Sequence, residues 1–396
     1  MNKNIEQLYQ IAKKESRTIL GLMSGTSLDG LDMALCKITN AGFNTKLQMQ
    51  AFASVPFSEK FKQEVKQVFS TRTVDLQTLA LLNVHIAETH AEIINAQLAA
   101  WNLEEKPDIL ASHGQSIFHA PKSLHQLDGF GNATLQIGDA DHLAVRTGII
   151  CVSDFRQKHV AAGGEGAPLA AYGDMILFKS EDEDVILLNI GGISNFSFIP
   201  CKGRKHFSTD VGPGNGLMDA WMQKNFPGVH FDRDAEIAKS GQVQQDLLDA
   251  MKQHPYFSLD FPKTTGPELF NLAFLSSMQK KSNTENISVP DVMATLNRLT
   301  AETIAEALNR CIDAKMKTTV YVSGGGIHNP VLMDYLTNHV QAKLLSTAEK
   351  NIPPDAKEAV LFALLANEAL VGDPAIFKNE KVGFPAVSMG KISFPF

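Results

Sequence analysis

The sequence predicts an α/β protein of two tandem domains, each a mixed sheet flanked by helices. Strand-length apolar runs alternate with stretches of helical periodicity along the chain. A hairpin signal, two β runs around a glycine-containing turn, opens the pattern and recurs after the charged break Glu181-Asp182-Glu183-Asp184. The 396 residues also exceed what a single hydrophobic core usually holds.

In the first half, runs Thr18–Met23 and Leu31–Ile38 are joined by Ser24-Gly25-Thr26-Ser27-Leu28-Asp29-Gly30, and a third strand is expected near Leu47–Ser54. Helices are expected over 58–70 and 75–101, the latter from the spacing of Leu79, Leu82, Ile86 and Ile93-Ile94. Pro107–Ser112 reads as a strand ending at His113-Gly114-Gln115-Ser116, and Thr147–Val152 as one ending at Ser153-Asp154-Phe155-Arg156. The second half repeats the scheme. Strands Val185–Ile190 and Asn195–Ile199 flank Gly191-Gly192-Ile193-Ser194, and an interrupted helical stretch follows over about 214–313. Strand Thr318–Val322 runs into Ser323-Gly324-Gly325-Gly326, then helix Pro330–His339, strand Val340–Leu345 and helix Lys357–Leu370. The domains are therefore expected at 1–178, with 1–16 an extension, and at 179–372, with 373–396 returning to the first.

Composition narrows the function class. Hydrophobic residues make up 44% and charged residues 20%, as in ordinary globular proteins. With a net charge of −7 and no Lys/Arg stripe, nucleic acid and membrane are not expected partners. The four cysteines form no CxxC pair, which argues against thiolate metal sites and a disulfide framework. The N-terminal segment lacks a secretory apolar core, so the cytoplasm is the expected compartment.

Several segments carry candidate chemistry. A hairpin turn rich in Gly, Ser and Thr aims backbone N–H groups and hydroxyls at one spot, which suits a phosphate. Gly25 to Asp32 and Gly191-Gly192 have this character, and Asp29 and Asp32 flanking Gly30 could hold Mg²⁺. A plain hairpin explains the first turn as well, because Asp-Gly supplies positive φ. Gly324-Gly325-Gly326 between a strand and a helix lets a ring or a phosphate approach the backbone, and a tight turn is its simpler explanation. Walker A and G-x-G-x-x-G patterns are both missing from the sequence. Asp154, at the C-terminal end of a strand, is placed for general-base work; an N-cap or an ion pair with Arg156 would account for it too. His113 and Gln136 lie in polar segments suited to sugar hydroxyls.

Together these segments resemble the anhydro-N-acetylmuramic acid kinase family of the actin/hexokinase/Hsp70 superfamily. The resemblance rests on GLMSGTSLDGLDMAL (21–35), ASHGQSIFHAP (111–121), TLQIGDADHLA (134–144), SDFRQKHVAAGGEGAPL (153–169) and NIGGISNF (189–196). It continues through DVGPGNGLMDAW (210–221), VSGGGIHNP (322–330) and EAVLFALLANEAL (358–370). It implies two actin-like ATPase (RNase H-like) domains with the active site in an interdomain cleft. It further implies an ATP-dependent enzyme that opens the 1,6-anhydro ring of 1,6-anhydro-N-acetylmuramic acid with water and phosphorylates O6, in peptidoglycan recycling, as a homodimer. By position, Asp154 matches the base. Gly25, Thr26, Ser27, Leu28, Asp29, Gly30, Leu31 and Asp32 match the phosphate turn, Gly191 and Gly192 the second phosphate hairpin, and Gly324 to Gly326 the adenosine region. His113, Gln136 and Arg156 are implied sugar contacts, with Asp29 and Glu358 toward Mg²⁺. A conventional sugar or carboxylate kinase, and a nucleotide-switched chaperone or filament protein of the same fold, remain the alternatives.

Overall fold

The computed structural model describes residues 2–167, 169–350, 352–378 and 385–396. Pro168, at the end of the 153–169 motif, and part of the 373–396 tail lie outside them. The chain divides into two compact units, Met1–Leu177 with Asn351–Phe396, and Phe178–Lys350.

The first unit is built on strands β1 (Ser16–Ser24), β2 (Gly30–Thr39), β3 (Lys46–Pro56), β4 (Ile109–Ala120), β5 (Ala133–Ile137) and β6 (Ile150–Ser153). The second carries β7 (Asp184–Ile190), β8 (Ile193–Ile199), β9 (Phe207–Pro213), β10 (Thr318–Ser323) and β11 (Lys343–Ser346), and the tail forms β12 (Lys391–Ser393). In the first sheet the order is β12-β6-β4-β1-β2-β3, with β5 beside β4. In the second it is β11-β10-β7-β8-β9. Both contain one scheme: three strands paired antiparallel in succession, then two added parallel on the far side of the first. The duplicated mixed sheet is the actin-like plan, and it repeats in topology without repeating in residues.

Burial follows from the pairing. The central strands β1, β4 and β7 are buried almost continuously where they pair, and Ile19–Met23, Ile109–Ala111 and Val185–Leu188 supply the apolar runs expected of strands covered on both faces. Leu20, Leu22, Met33, Leu35 and Leu110 pack with Ile86 and Ile94 of the helix Leu76–Trp101. That helix starts where the Asp75 side chain accepts the Thr78 N–H at 2.7 Å, and stops at Asn102 in the left-handed region. In the second unit, Ile186, Leu188, Val320 and Val322 meet Ile304 and Leu308 of the helix Val289–Cys311.

The structure corrects the expected domain boundary. The helix Lys357–Val371, assigned from sequence to the second domain, belongs to the first unit. A Cβ placed on Gly21 of β1 would stand 1.9 Å from the Ala359 carbonyl oxygen, so helix and strand touch backbone to backbone. The main chain of the tail also ends in the first sheet, with Lys391 opposite Ser153 and Ser393 opposite Cys151. Element limits shift as well. β4 runs on to Ala120, and β11 starts only at Lys343 because the Val340 N–H still bonds the Leu336 carbonyl at the end of the preceding helix. Among the described residues no helix is long and apolar enough to cross a membrane.

Candidate active site

In the first unit β1 ends opposite Gln115 of β4 and β6 ends opposite Ser112, bringing the Gly25–Asp32 turn, the His113–Ser116 stretch and Asp154 to one edge. Thr26 and Ser27 are exposed at the turn, and the Leu28 N–H bonds the Gly25 carbonyl at 3.3 Å with φ of 59° at Leu28. Buried Gln115 anchors this turn to β4: its Oε1 accepts from the Ser24 hydroxyl and its Nε2 donates to the Gly25 carbonyl at 3.3 Å. A Cβ on Gly25 would meet only the Ser27 hydroxyl, at 3.6 Å, so the protein leaves space over this backbone.

A pocket of about 500 Å³ lies along the same edge, lined among others by Asn83, His113, Gln136, Asp139, Asp154 and Lys391. Asp154 sits at φ 53°, ψ 47° between β6 and the helix Phe155–Ala161, and its side chain makes no cap bond to that helix. The left-handed backbone of a non-glycine residue is a costly way to end a strand. Its carboxylate is ion-paired with Lys391 rather than Arg156. Gln136 donates to the Ser116 and Thr134 hydroxyls at 3.1 and 2.8 Å, and its Oε1 has no hydrogen-bond partner among the described residues.

The three predicted sugar contacts thus separate into different situations. Gln136 lines the pocket, but its unpaired Oε1 is itself buried. His113 is buried with both ring nitrogens engaged, Nδ1 with the Gly114 carbonyl at 3.0 Å and Nε2 with Arg156 Nε at 2.9 Å. Because Arg156 donates, Nε2 is the acceptor and the ring is neutral; burial and the neighbouring guanidinium push its pKa down to about 3. Arg156 turns away from the pocket toward His113 and the Gly166 carbonyl at 3.2 Å. It stands behind His113 rather than on the pocket wall.

Of the residues considered for Mg²⁺, Asp29 is exposed at the turn. Glu358 feels the charge of Asp32. Glu358 keeps accessible surface, yet the protein around it desolvates its carboxyl and, with Asp32, raises its pKa against the pull of Arg156 and Lys357. Asp32 is raised chiefly by burial, opposed by a hydrogen bond from Ser54 and reinforced by Asp355 and Asp29. Two carboxyl groups that resist ionising beside each other suit a cation. Among the described residues no cluster of three or more His, Cys, Asp or Glu is set to hold a metal, so an ion here would need phosphate oxygens and water to complete its shell.

In the second unit, three glycine turns converge. The Asn215 N–H bonds the Gly191 carbonyl at 2.7 Å, and Gly214 and Gly216 both donate to Gly192 at 3.0 Å. Asn215 Nδ2 donates to the Ile190 carbonyl at 3.2 Å. Gly324 has φ of 84°, and a Cβ there would lie 2.7 Å from Asn189 Oδ1 and the Ile190 carbonyl; glycine is required. Beside Asn329 a pocket of about 550 Å³ is lined by Asn297, Arg298, Pro330 and Tyr335 among others. The Arg298 guanidinium lies 4.5 Å over the Tyr335 ring, and buried Asn297 donates to Asn329 Oδ1 at 3.1 Å. Asn297 Oδ1 has no partner among the described residues. The Gly214-Asn215-Gly216 turn and Asn297 were not singled out from sequence. The G-x-G spacing within DVGPGNG was a usable signal for the turn, whereas Asn297 sits inside a helix with nothing local to mark it.

Residues 17–394 match the family model described as anhydro-N-acetylmuramic acid kinase. The chain belongs to the anhydro-N-acetylmuramic acid kinase family. Members of that name from Pseudoalteromonas atlantica and Pseudoalteromonas translucida are 53% and 51% identical over the full length of both chains. A more distant anhydro-N-acetylmuramic acid kinase, from Caldanaerobacter subterraneus, is 34% identical and covers 98% of this chain and 100% of its own. The family match extends over both units.

Proposed function

We propose that this protein transfers the γ-phosphoryl group of ATP to O6 of 1,6-anhydro-N-acetylmuramic acid while adding water at C1, giving N-acetylmuramic acid 6-phosphate and ADP. The reading is carried by Asp154, a carboxylate at a strand end on the same 500 Å³ pocket as Gln136 and His113. Asp154 takes a proton from water as the water oxygen bonds C1. The C1–O6 bond breaks, and O6 takes the phosphoryl group as ADP departs. An ordinary inverting glycosidase needs a second carboxyl group to protonate the leaving oxygen. Phosphoryl capture by O6 removes that need, and one base suffices.

The other residues have supporting parts. Gln136, a lining residue whose buried Oε1 is unpaired, reaches a sugar hydroxyl by a small side-chain rotation, and Arg156 holds His113 in the tautomer that packs against the pocket wall. The Gly25–Asp32 turn and the Gly191-Gly192 hairpin offer backbone amides to the phosphates. Gly324 to Gly326 and the neighbouring Asn297 pocket suit the adenosine. Asp32 and Glu358 are the residues that would hold Mg²⁺, which when bound supplies neutralisation of the phosphate charge. Action in cytoplasmic cell-wall recycling as a homodimer belongs to the same reading.

Incubation with ATP, Mg²⁺ and the anhydro-sugar in oxygen-18 water tests it by mass spectrometry. The product should gain one water and one phosphoryl group, with the label at C1. Phosphorylation without label would make the protein a kinase of free hydroxyls, and nucleotide binding without turnover would favour a switch.

A further inference from the structure

We propose that Lys391, carried on the tail strand β12, recognises the lactyl carboxylate of the substrate and exchanges Asp154 for it on binding. The proposal rests on the sugar reading of the first unit's pocket. Main-chain pairing fixes where this residue stands: Lys391 lies opposite Ser153, next to Asp154. Its ammonium group pairs with the Asp154 carboxylate, yet 67% of the side chain stays exposed, so its flexible stem can re-aim the charge at little cost.

Charge around the pocket argues for a second partner. Its described lining residues include three carboxylates, Asp139, Asp141 and Asp154, and a single cation, Lys391. His113 lines the pocket in neutral form. Arg156 is committed to His113 and to the Gly166 carbonyl. A sugar bearing its own carboxylate enters against this negative field, and Lys391 is the group able to offset it. Moving the ammonium from Asp154 to the sugar also frees a carboxylate oxygen of the base for water. The cation therefore couples recognition of the anionic substituent to exposure of Asp154.

The test compares two substrates on the full-length protein with ATP and Mg²⁺: 1,6-anhydro-N-acetylmuramic acid and the same anhydro-sugar without its lactyl group. Wild type, Lys391→Met and Lys391→Arg are measured, with thermal melts to check folding. A charge-assisted contact of ordinary strength predicts that Lys391→Met lowers the kcat/KM preference for the lactyl-bearing sugar at least about tenfold, chiefly through KM, while Lys391→Arg keeps most of it. An unchanged preference, with both sugars slowed alike, would make Lys391 a prop for Asp154 and overturn the proposal. Should wild type phosphorylate neither sugar, the kinase reading fails by itself. Calorimetric binding of the two sugars then decides on Lys391, since loss of preference in Lys391→Met supports it and equal preference overturns it.

Discussion

Two substitutions separate chemistry from binding. Asp154→Asn removes the base while keeping size and shape, and turnover should fall at least about 10³-fold with ATP affinity retained. Near-normal turnover would take Asp154 out of its role. At Gly25 the protein leaves room for a methyl group. Gly25→Ala should therefore melt as wild type does yet bind ATP at least about tenfold more weakly, because the added group occupies phosphate space. Equal affinity by titration would move the phosphate elsewhere. Titration gives a residue-level test of packing. His90 is buried against Phe57, its Nε2 has no partner among the described residues, and burial lowers its pKa to about 4. Neutral when folded and protonated when unfolded, it stabilises fully above the unfolded value near 6.5 and progressively less as pH falls toward 4. That loss is on the order of 3 kcal/mol by linkage. His90→Leu should flatten the stability profile over this window in denaturant titrations, and an unaltered slope would show that other groups set it.

At the scale of elements, the seam between β1 and the helix Lys357–Val371 determines where Glu358 stands. Gly21→Val would drive a side chain into the Ala359 carbonyl, 1.9 Å from the Cβ position, with no flexible atom to yield. A loss of roughly 3 kcal/mol or more is expected, read by thermal melting, and a melt like that of wild type would mean the seam can open. This seam also shows where the sequence was readable. The helix itself was plain, because Ala359 to Ala366 form an unbroken apolar run that ends up buried. Such a run says that a helix is covered, and is silent on which sheet covers it. β5 was seen only as a polar segment, since five residues after a turn-rich loop give periodicity little to act on. β9 was missed because Ser208, Thr209 and Asp210 break its apolar pattern at a sheet edge. The glycine turns and Asp154 were legible because they punctuate strong strands. The Arg156–His113 pairing, the Lys391–Asp154 pair and the unsatisfied oxygen of Asn297 were not, because each depends on neighbours distant in sequence or on burial.

For the whole molecule, the decisive feature is that the first unit is made from two separated stretches of chain while the second is continuous. Residues 178–350 hold their own sheet and two apolar clusters, so they have what an independent domain requires. Residues 1–177 lack the helix Lys357–Val371, which lies on β1, and the edge strand β12. That helix buries Val360, Phe362, Leu364 and Leu365 among others. At about 1.5–3 kcal/mol for each such side chain, the burial missing from the fragment amounts to roughly 6–12 kcal/mol, comparable to the entire stability of a typical domain. Expressed alone, 178–350 should unfold cooperatively in a calorimeter, whereas 1–177 should lack a cooperative transition and show collapsed amide dispersion by NMR. A well-dispersed spectrum from 1–177 would mean that β1 to β6 and their helices close a core without the C-terminal segment. In the intact chain, the dependence means that the Gly25–Asp32 turn and Asp154 acquire their support only once the segment after the second unit is made, because Glu358 and Lys391 arrive with it.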